Sequence, residues 1–471
     1  MKWPWRSLSA RALSSRTLSS RARCAWLLGL LLLVAFGPVV ATLTAQPASR
    51  LALTAAVAEH HTVDIGGYPH GIDRATYNGH LRSDKAPGQP LLAVPVYLVG
   101  RALGAESEAY RRPAGNLGAW WVTLWTSFLP FVALVVLMFW VASRHTRQLP
   151  ALAAALSIGV GSMMLPLAVN LYGAALAALT AYAAWAILDA APATNTRLLV
   201  VGALAAASVA MEYEAGIAFA VLAFVVLRRS GRRLTWFGLG AVGPFLVVGL
   251  YGWAAFGKPW RTAHEYYATA AIRHQIVGYA LGWRGIDATL FGAHGLVRTN
   301  PIVLVALGAA AVVAWSPTSA VRRHAWVGLA IAVPYLVLCM VWKGTPALEE
   351  PGPRYMIPSL PFLAVPLAAL WDKIWRPAVL VALWGVIIAV PATICFMLLG
   401  IGESAFPDLP RRVIDGKFLP TIWSMALGRF GVVLHLASVA VVAIALARAC
   451  RASPLDGRRT GVRSDASARI V

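Results

Sequence analysis

The chain has 471 residues, of which 59% are hydrophobic and only 13% charged, with a mean hydropathy of +0.67. That is more apolar surface than one soluble core can bury, so a soluble globular protein is excluded and an all-α polytopic membrane protein is expected. The net charge of +22 would suit nucleic acid, but the Lys and Arg residues fall in short segments between apolar runs rather than on one soluble face; anionic membrane lipids are the expected partners, and no nucleic acid.

The first 23 residues form a basic tail with no acid, and an apolar run from Cys24 to about Ala45 follows. That run is long enough to span a bilayer and lacks a small-x-small cleavage site, so it reads as an uncleaved first helix. Further apolar runs lie near 118–142, 151–168, 171–190, 196–212, 215–228, 234–255, 300–316, 324–342, 357–371, 376–399 and 425–448. The expectation is about twelve transmembrane helices in one domain over 24–448, between a cytoplasmic tail at 1–23 and another at 449–471. With the N-terminus inside, "RHTR", "RRSGRR", "RRH", "DKIWR" and the C-terminal "RASPLDGRRTGVR" all become cytoplasmic, as the positive-inside rule asks. All but Asp189, Asp372, Asp456 and Asp465 of the 19 acidic residues then lie outside, in loops at 46–117, 256–299, 343–356 and 400–424. "QPLLAVPVYLVGRAL", residues 89–103, is about 15 residues long and interrupted by Pro95; as a full span it would invert every later loop, so it reads as a re-entrant or interfacial helix. The four cysteines sit in or beside apolar runs and show no disulfide or metal spacing.

The chemistry concentrates outside. "AEHHTVDIGGYPHGIDRATYNGHLRSDKAPG" holds Glu59, Asp64, Asp73 and Asp84, and a partly desolvated carboxylate just past a membrane helix suits general-base work. Asp64 is the first choice. Lys85, at the entry to the Pro95 helix, is placed to meet a lipid phosphate at headgroup depth. Glu212 and Glu214 interrupt an apolar stretch and fall at an external hairpin turn, where they can line a site. His264, Glu265, Tyr266 and Tyr267 combine imidazole, acid and aromatic faces of the kind that stack on sugars. Glu349 and Glu350 shortly precede Arg354 and can orient it. Seven histidines lie outside (His60, His61, His70, His80, His264, His274, His294), but His60 and His61 are adjacent rather than one helical turn apart, and no metal site is assigned.

"HLRSDKAPGQPLLAVPVYLVGR" resembles the hydrophobic-Ser-Asp-Lys-x-Pro-Gly segment of bacterial members of the GT-C superfamily, relatives of protein O-mannosyltransferases and of the lipid A aminoarabinose transferase. "GPRYMIPSLPFLAVPLAAL" is similar to their Gly-Pro-Arg-Tyr segment, and "MEYEAG" and "FGKPWRTAHEYY" occupy corresponding places. The resemblance covers roughly residues 24–400. It implies a GT-C fold, a bacterial inner (plasma) membrane location with a periplasmic active site, and inverting transfer of a sugar from a polyprenyl-phosphate donor to a glycan, lipid or protein acceptor, without a cofactor. In its terms Asp64 is the activating acid, and Lys85 and Arg354 hold the donor phosphate; Asp84, Glu212, Glu214, His264, Glu265 and Tyr266, read from the residues themselves, are expected at the substrate. Many relatives carry paired acids in the first loop; here "VDIGGYP" offers one, and Asp73 is the fallback base. A secondary transporter or lipid flippase is the alternative, and an inactive scaffold of the same fold a third possibility.

Overall fold

The computed structural model describes residues 15–68, 71, 73–104, 115–267, 282–316, 321–342, 349–400 and 402–451. His70, His274, the segment 343–348 and most of both basic tails lie outside the described residues. Helix α1 (Ser15–Phe36) begins earlier and ends earlier than the expected 24–45, because Gly37-Pro38 stops it: proline has no N–H to continue the ladder and disfavours helical geometry before it. An extended link then leads to α2 (Ala45–His60). β1 (Arg74–Tyr77) and β2 (His80–Ser83) pair antiparallel, so the all-α expectation is corrected by one hairpin. Its turn is Asn78-Gly79, both at positive φ, the pair that matches strand twist in a two-residue loop. α3 (Gly88–Ala102) contains Pro95.

Then come α4 (Leu117–His145), α5 (Gln148–Gly159), α6 (Ala174–Ala190), α7 (Asn195–Met211), α8 (Gly216–Ser230), α9 (Leu234–Phe256), α10 (Pro301–Trp315), α11 (Arg322–Val341), α12 (Ala364–Ile394) and α13 (Ile422–Arg451). Among the described residues, five helical stretches are long and apolar enough to cross a membrane: Leu117–His145, Tyr213–Phe256, Arg322–Val341, Arg354–Ile394 and Ile422–Cys450. Four shorter apolar helices accompany them.

Two of those stretches reverse direction. Tyr213–Phe256 holds α8 and α9, which meet at Gly231. α12 is one run of 31 residues, which as a straight rod would reach about 46 Å. Its neighbours show it folding back. Phe362 lies 5.3 Å from Tyr182, two turns above the end of α6. Asp372 pairs with Arg147 at the α4–α5 turn at 2.6 Å, and further on Gly385 lies against the Gly161 carbonyl beyond the other end of α5. The chain descends to "DKIWR" and climbs again after Pro377. Small residues allow such close approach: a Cβ on Gly202 would collide with the Phe237 carbonyl, and one on Gly240 with that of Leu199, so α7 and α9 meet backbone to backbone. α1 and α13 run antiparallel, from the Val39–Thr421 bridge, past His435 Nε2 at 2.9 Å from the Val34 carbonyl, to Cys24 and Cys450 with sulfurs 2.6 Å apart.

Candidate active site

The turns Arg144–Arg147, Arg228–Arg233, Arg322–His324 and Asp372–Arg376 gather at one end of the bundle. At the other end the chain encloses a cavity of about 220 Å³, built from three widely separated segments.

The first wall is "SDKAPG". Asp84 is fully buried in its side chain, and its Oδ2 lies 2.9 Å from Lys85 Nζ; its Oδ1 accepts from Ser49 Oγ at 3.4 Å. Asp73 approaches the same ammonium at 3.5 Å but keeps some exposure. Burial alone would lower the Lys85 ammonium, yet Asp84 and then Asp73 outweigh it and hold it above its ordinary value. Burial raises the Asp73 carboxyl above the usual carboxylate range, and Lys85 offsets this only in part. Asp84 thus fixes the lysine, while Asp73 remains a reachable carboxylate of increased basicity. Gly88 secures the wall: a Cβ there would sit 2.5 Å from the Ala210 carbonyl at the end of α7.

The second wall is "EEPGPRY". Arg354 is ion-paired with Glu350, and its guanidinium lies 5.2 Å over the Tyr355 ring. With its amide oxygen turned inward, Gln46 accepts from Arg354 Nη2 at 2.7 Å. Tyr172 donates to Glu350 at 3.2 Å, and His294 Nδ1 meets the Glu350 carbonyl at 3.0 Å. Gly352, at φ 136°, makes the turn, and a Cβ there would strike Asn300.

The third wall is the break between α7 and α8. Glu212 accepts from Arg50 Nη2 at 2.5 Å, and Arg50 Nη1 donates to Gln89 at 3.2 Å. Arg50 is 1% exposed, a buried guanidinium whose two terminal nitrogens are taken by Gln89 and Glu212. Glu214 follows in the turn Tyr213–Ala215 and also lines the cavity.

The structure therefore brings Asp73, Asp84, Lys85 and Arg354 together, and Glu212, Glu214 and His264 face the same space. Burial lowers the His264 imidazole below its ordinary value, against the pull of Asp84. Asp64 is not part of the lining. Its Oδ1 accepts from the N–H groups of Gly66 at 3.0 Å and Leu81 at 3.2 Å, and its Oδ2 lies 2.5 Å from His80 Nδ1. Burial would raise this carboxyl, but the Gly66 N–H, His80 and Arg82 together hold it below its ordinary value, so it clamps the loop under the hairpin. Glu265 is exposed outside the cavity. Tyr266 stacks on Phe256 at 5.4 Å in a satellite core instead of facing the cavity. Sequence reasoning missed Thr44, Gln46, Arg50 and Tyr172. Only Arg50 left a signal, as a lone cation in "SRLALTAAVA".

One group of described His, Asp, Glu or Cys side chains is close enough to share an ion: His145, Asp189 and His324, at the opposite end. Trp185 Nε1–H donates to His324 Nδ1 at 3.2 Å, which leaves the imidazole proton on Nε2, 3.3 Å from Asp189. Indole nitrogen can only donate, so this tautomer offers no lone pair to a metal.

No protein-family model matches the chain, and no curated protein matches it. Among solved structures it is similar to ArnT from Cupriavidus metallidurans in the apo state, at 14% identity and a TM-score of 0.45 over 93% of this chain and 77% of that one. The same protein bound to undecaprenyl phosphate gives 14% identity and a TM-score of 0.48 over 94% and 77%. The oligosaccharyltransferase of Archaeoglobus fulgidus in the apo form gives 11% identity and a TM-score of 0.37 over 92% and 56%. Likenesses this distant leave the reading of function to the site's own residues.

Proposed function

We propose that this chain is a membrane glycosyltransferase that moves a sugar from a polyprenyl-phosphate-linked donor to an acceptor hydroxyl, with inversion, in this cavity on the external face. The observation that carries the reading is the convergence of Lys85, Arg354 and Asp73 on one cavity at the end of the bundle away from the basic turns. Asp73 takes the proton of the acceptor hydroxyl; the hydroxyl oxygen bonds to the anomeric carbon; the bond from that carbon to the phosphate oxygen breaks, and polyprenyl phosphate leaves. The transition state is oxocarbenium-like, with negative charge growing on the departing phosphate, where Lys85 and Arg354 stabilise it at low dielectric. The polyprenyl tail stays in the bilayer and presents its phosphate at headgroup depth. Asp73 replaces Asp64 as base because Asp64 is locked into its loop. Among the described residues the buried Arg50, Asp84 and Glu350 group around this one cavity, and His324 sits with Asp189 near the basic turns, which favours transfer over the transporter or flippase alternative.

The test uses membranes carrying the protein, a panel of polyprenyl-phosphate sugars, and Asp73→Asn. Consumption of one donor by the wild type, abolished in Asp73→Asn with binding of that donor retained, supports the reading. Transfer at near wild-type rate in Asp73→Asn removes this residue from the chemistry.

A further inference from the structure

Each cation of the cavity is already committed to an acid. Lys85 is held by Asp84 and Asp73, Arg354 by Glu350 and Arg50 by Glu212. Two carboxylates of the lining, Glu214 and Glu349, have no partner among the described side chains, and of these Glu349 is exposed to solvent whereas Glu214 is half-buried. Glu214 lines the cavity and is within electrostatic reach of Arg354 and Arg50, yet among the described residues no side chain pairs with it, and the hydrogen bond it accepts is from its own backbone N–H. Its turn is fixed from both sides. Cβ atoms on Gly88 and Gly173 would lie 2.5 Å and 2.6 Å from the Ala210 and Met211 carbonyls, so the backbone carrying Glu212 and Glu214 is wedged between α3 and the start of α6. A rigidly held carboxyl group with open acceptor positions, within reach of the phosphate-binding Arg354, is a site for hydrogen-bond donors carried next to a phosphate. In a sugar phosphate those donors are ring hydroxyls. A lone carboxylate facing the phosphate itself would repel it, so Glu214 belongs with the sugar and not with the lipid head.

We infer that Glu214 is a specificity-determining residue that accepts hydrogen bonds from the hydroxyls of the sugar to be transferred, and so separates the sugar-bearing lipid from the spent lipid phosphate. This rests on the transfer reading above. Exchanging a carboxyl oxygen for an amide NH2 turns an acceptor into a donor, and the hydrogen bond so lost should cost about tenfold in affinity. The probes are bare polyprenyl phosphate and a set of polyprenyl-phosphate hexoses, titrated into the purified full chain in lipid nanodiscs. The wild type should bind one hexose-bearing lipid more tightly than the bare phosphate. In Glu214→Gln that preference should fall about tenfold with bare-phosphate affinity unchanged, which also shows that the variant is folded, whereas Lys85→Ala should weaken both probes. Unchanged preference in Glu214→Gln, or an equal loss for both probes, overturns the inference and leaves the transfer reading standing. Binding of neither probe by the wild type overturns both.

Discussion

The two ends of the bundle hold similar side chains to opposite effect. At the basic end, Asp189 meets Arg323 at 2.6 Å and His324 at 3.3 Å, His145 packs edge-on against His324 at 4.6 Å between ring centroids, and Arg229 covers Trp185. These groups bind one another and tie α4, α6, α8 and α11 together. At the cavity end each described cation has a partner too, but among the described residues the acids outnumber the cations and stand around open space. A chain-distant cluster of charge is therefore no sign of a site by itself; the sign is a surplus that faces a void.

Breaking that contrast gives graded effects. Asp73→Asn should cost most, about a hundred- to ten-thousand-fold in transfer rate, the usual worth of a general base. In the wild type the rate should fall as pH drops through the Asp73 value. Because burial raises that value, the acid limb lies above the ordinary carboxylate range, with activity present above it and lost below; a pH–rate profile locates it. Next comes Lys85→Ala, which should weaken donor binding about ten- to a hundred-fold and lower the melting temperature as well, since buried Asp84 loses its counter-charge. Gly88→Ala should reduce transfer through displacement of the lysine wall from the end of α7, read as a fall in rate with bare-phosphate binding also weakened. At the basic end, His324→Ala should cost about 1–3 kcal/mol of stability in denaturant titrations and leave donor affinity unchanged; a change in donor affinity there would erase the contrast. The smallest effect is expected from zinc, which should not raise the melting temperature, given the tautomer that Trp185 imposes.

Much of this was legible in the sequence where chemistry and pattern coincide. The apolar runs and basic turns marked the helices and their reversals, including "DKIWR" inside the continuous α12. Lys85, Asp84, Glu212 and Glu214 stand out as charges at the edges of apolar segments, and Arg354 through the family resemblance of its Gly-Pro-Arg-Tyr segment. The hairpin was missed although Asn78-Gly79 announces it, because its strands are four residues each and the apolar pattern dominates. The resemblance aligns Asp64 with the acid after the first helix and leaves Asp73 as the fallback, and nothing in their local sequence tells the two apart. What separates them is which carboxylate the hairpin folds back upon, as Leu81 N–H and His80 claim Asp64 and leave Asp73 beside Lys85. Gln46 and Tyr172 carry no charge, so only tertiary contact reveals that they hold the Arg354–Glu350 pair.

The antiparallel seam between α1 and α13 constrains topology without any helix being counted. With Cys24 and Cys450 touching at one end and Val39 bridged to Thr421 at the other, the chain enters α1 and leaves α13 on the same side of the bilayer. The number of crossings is then even, whichever short segments span and whichever merely dip. Compartment reporters fused ahead of α1 and behind α13 must agree with each other, and a disagreement would mean that this seam does not form in the membrane.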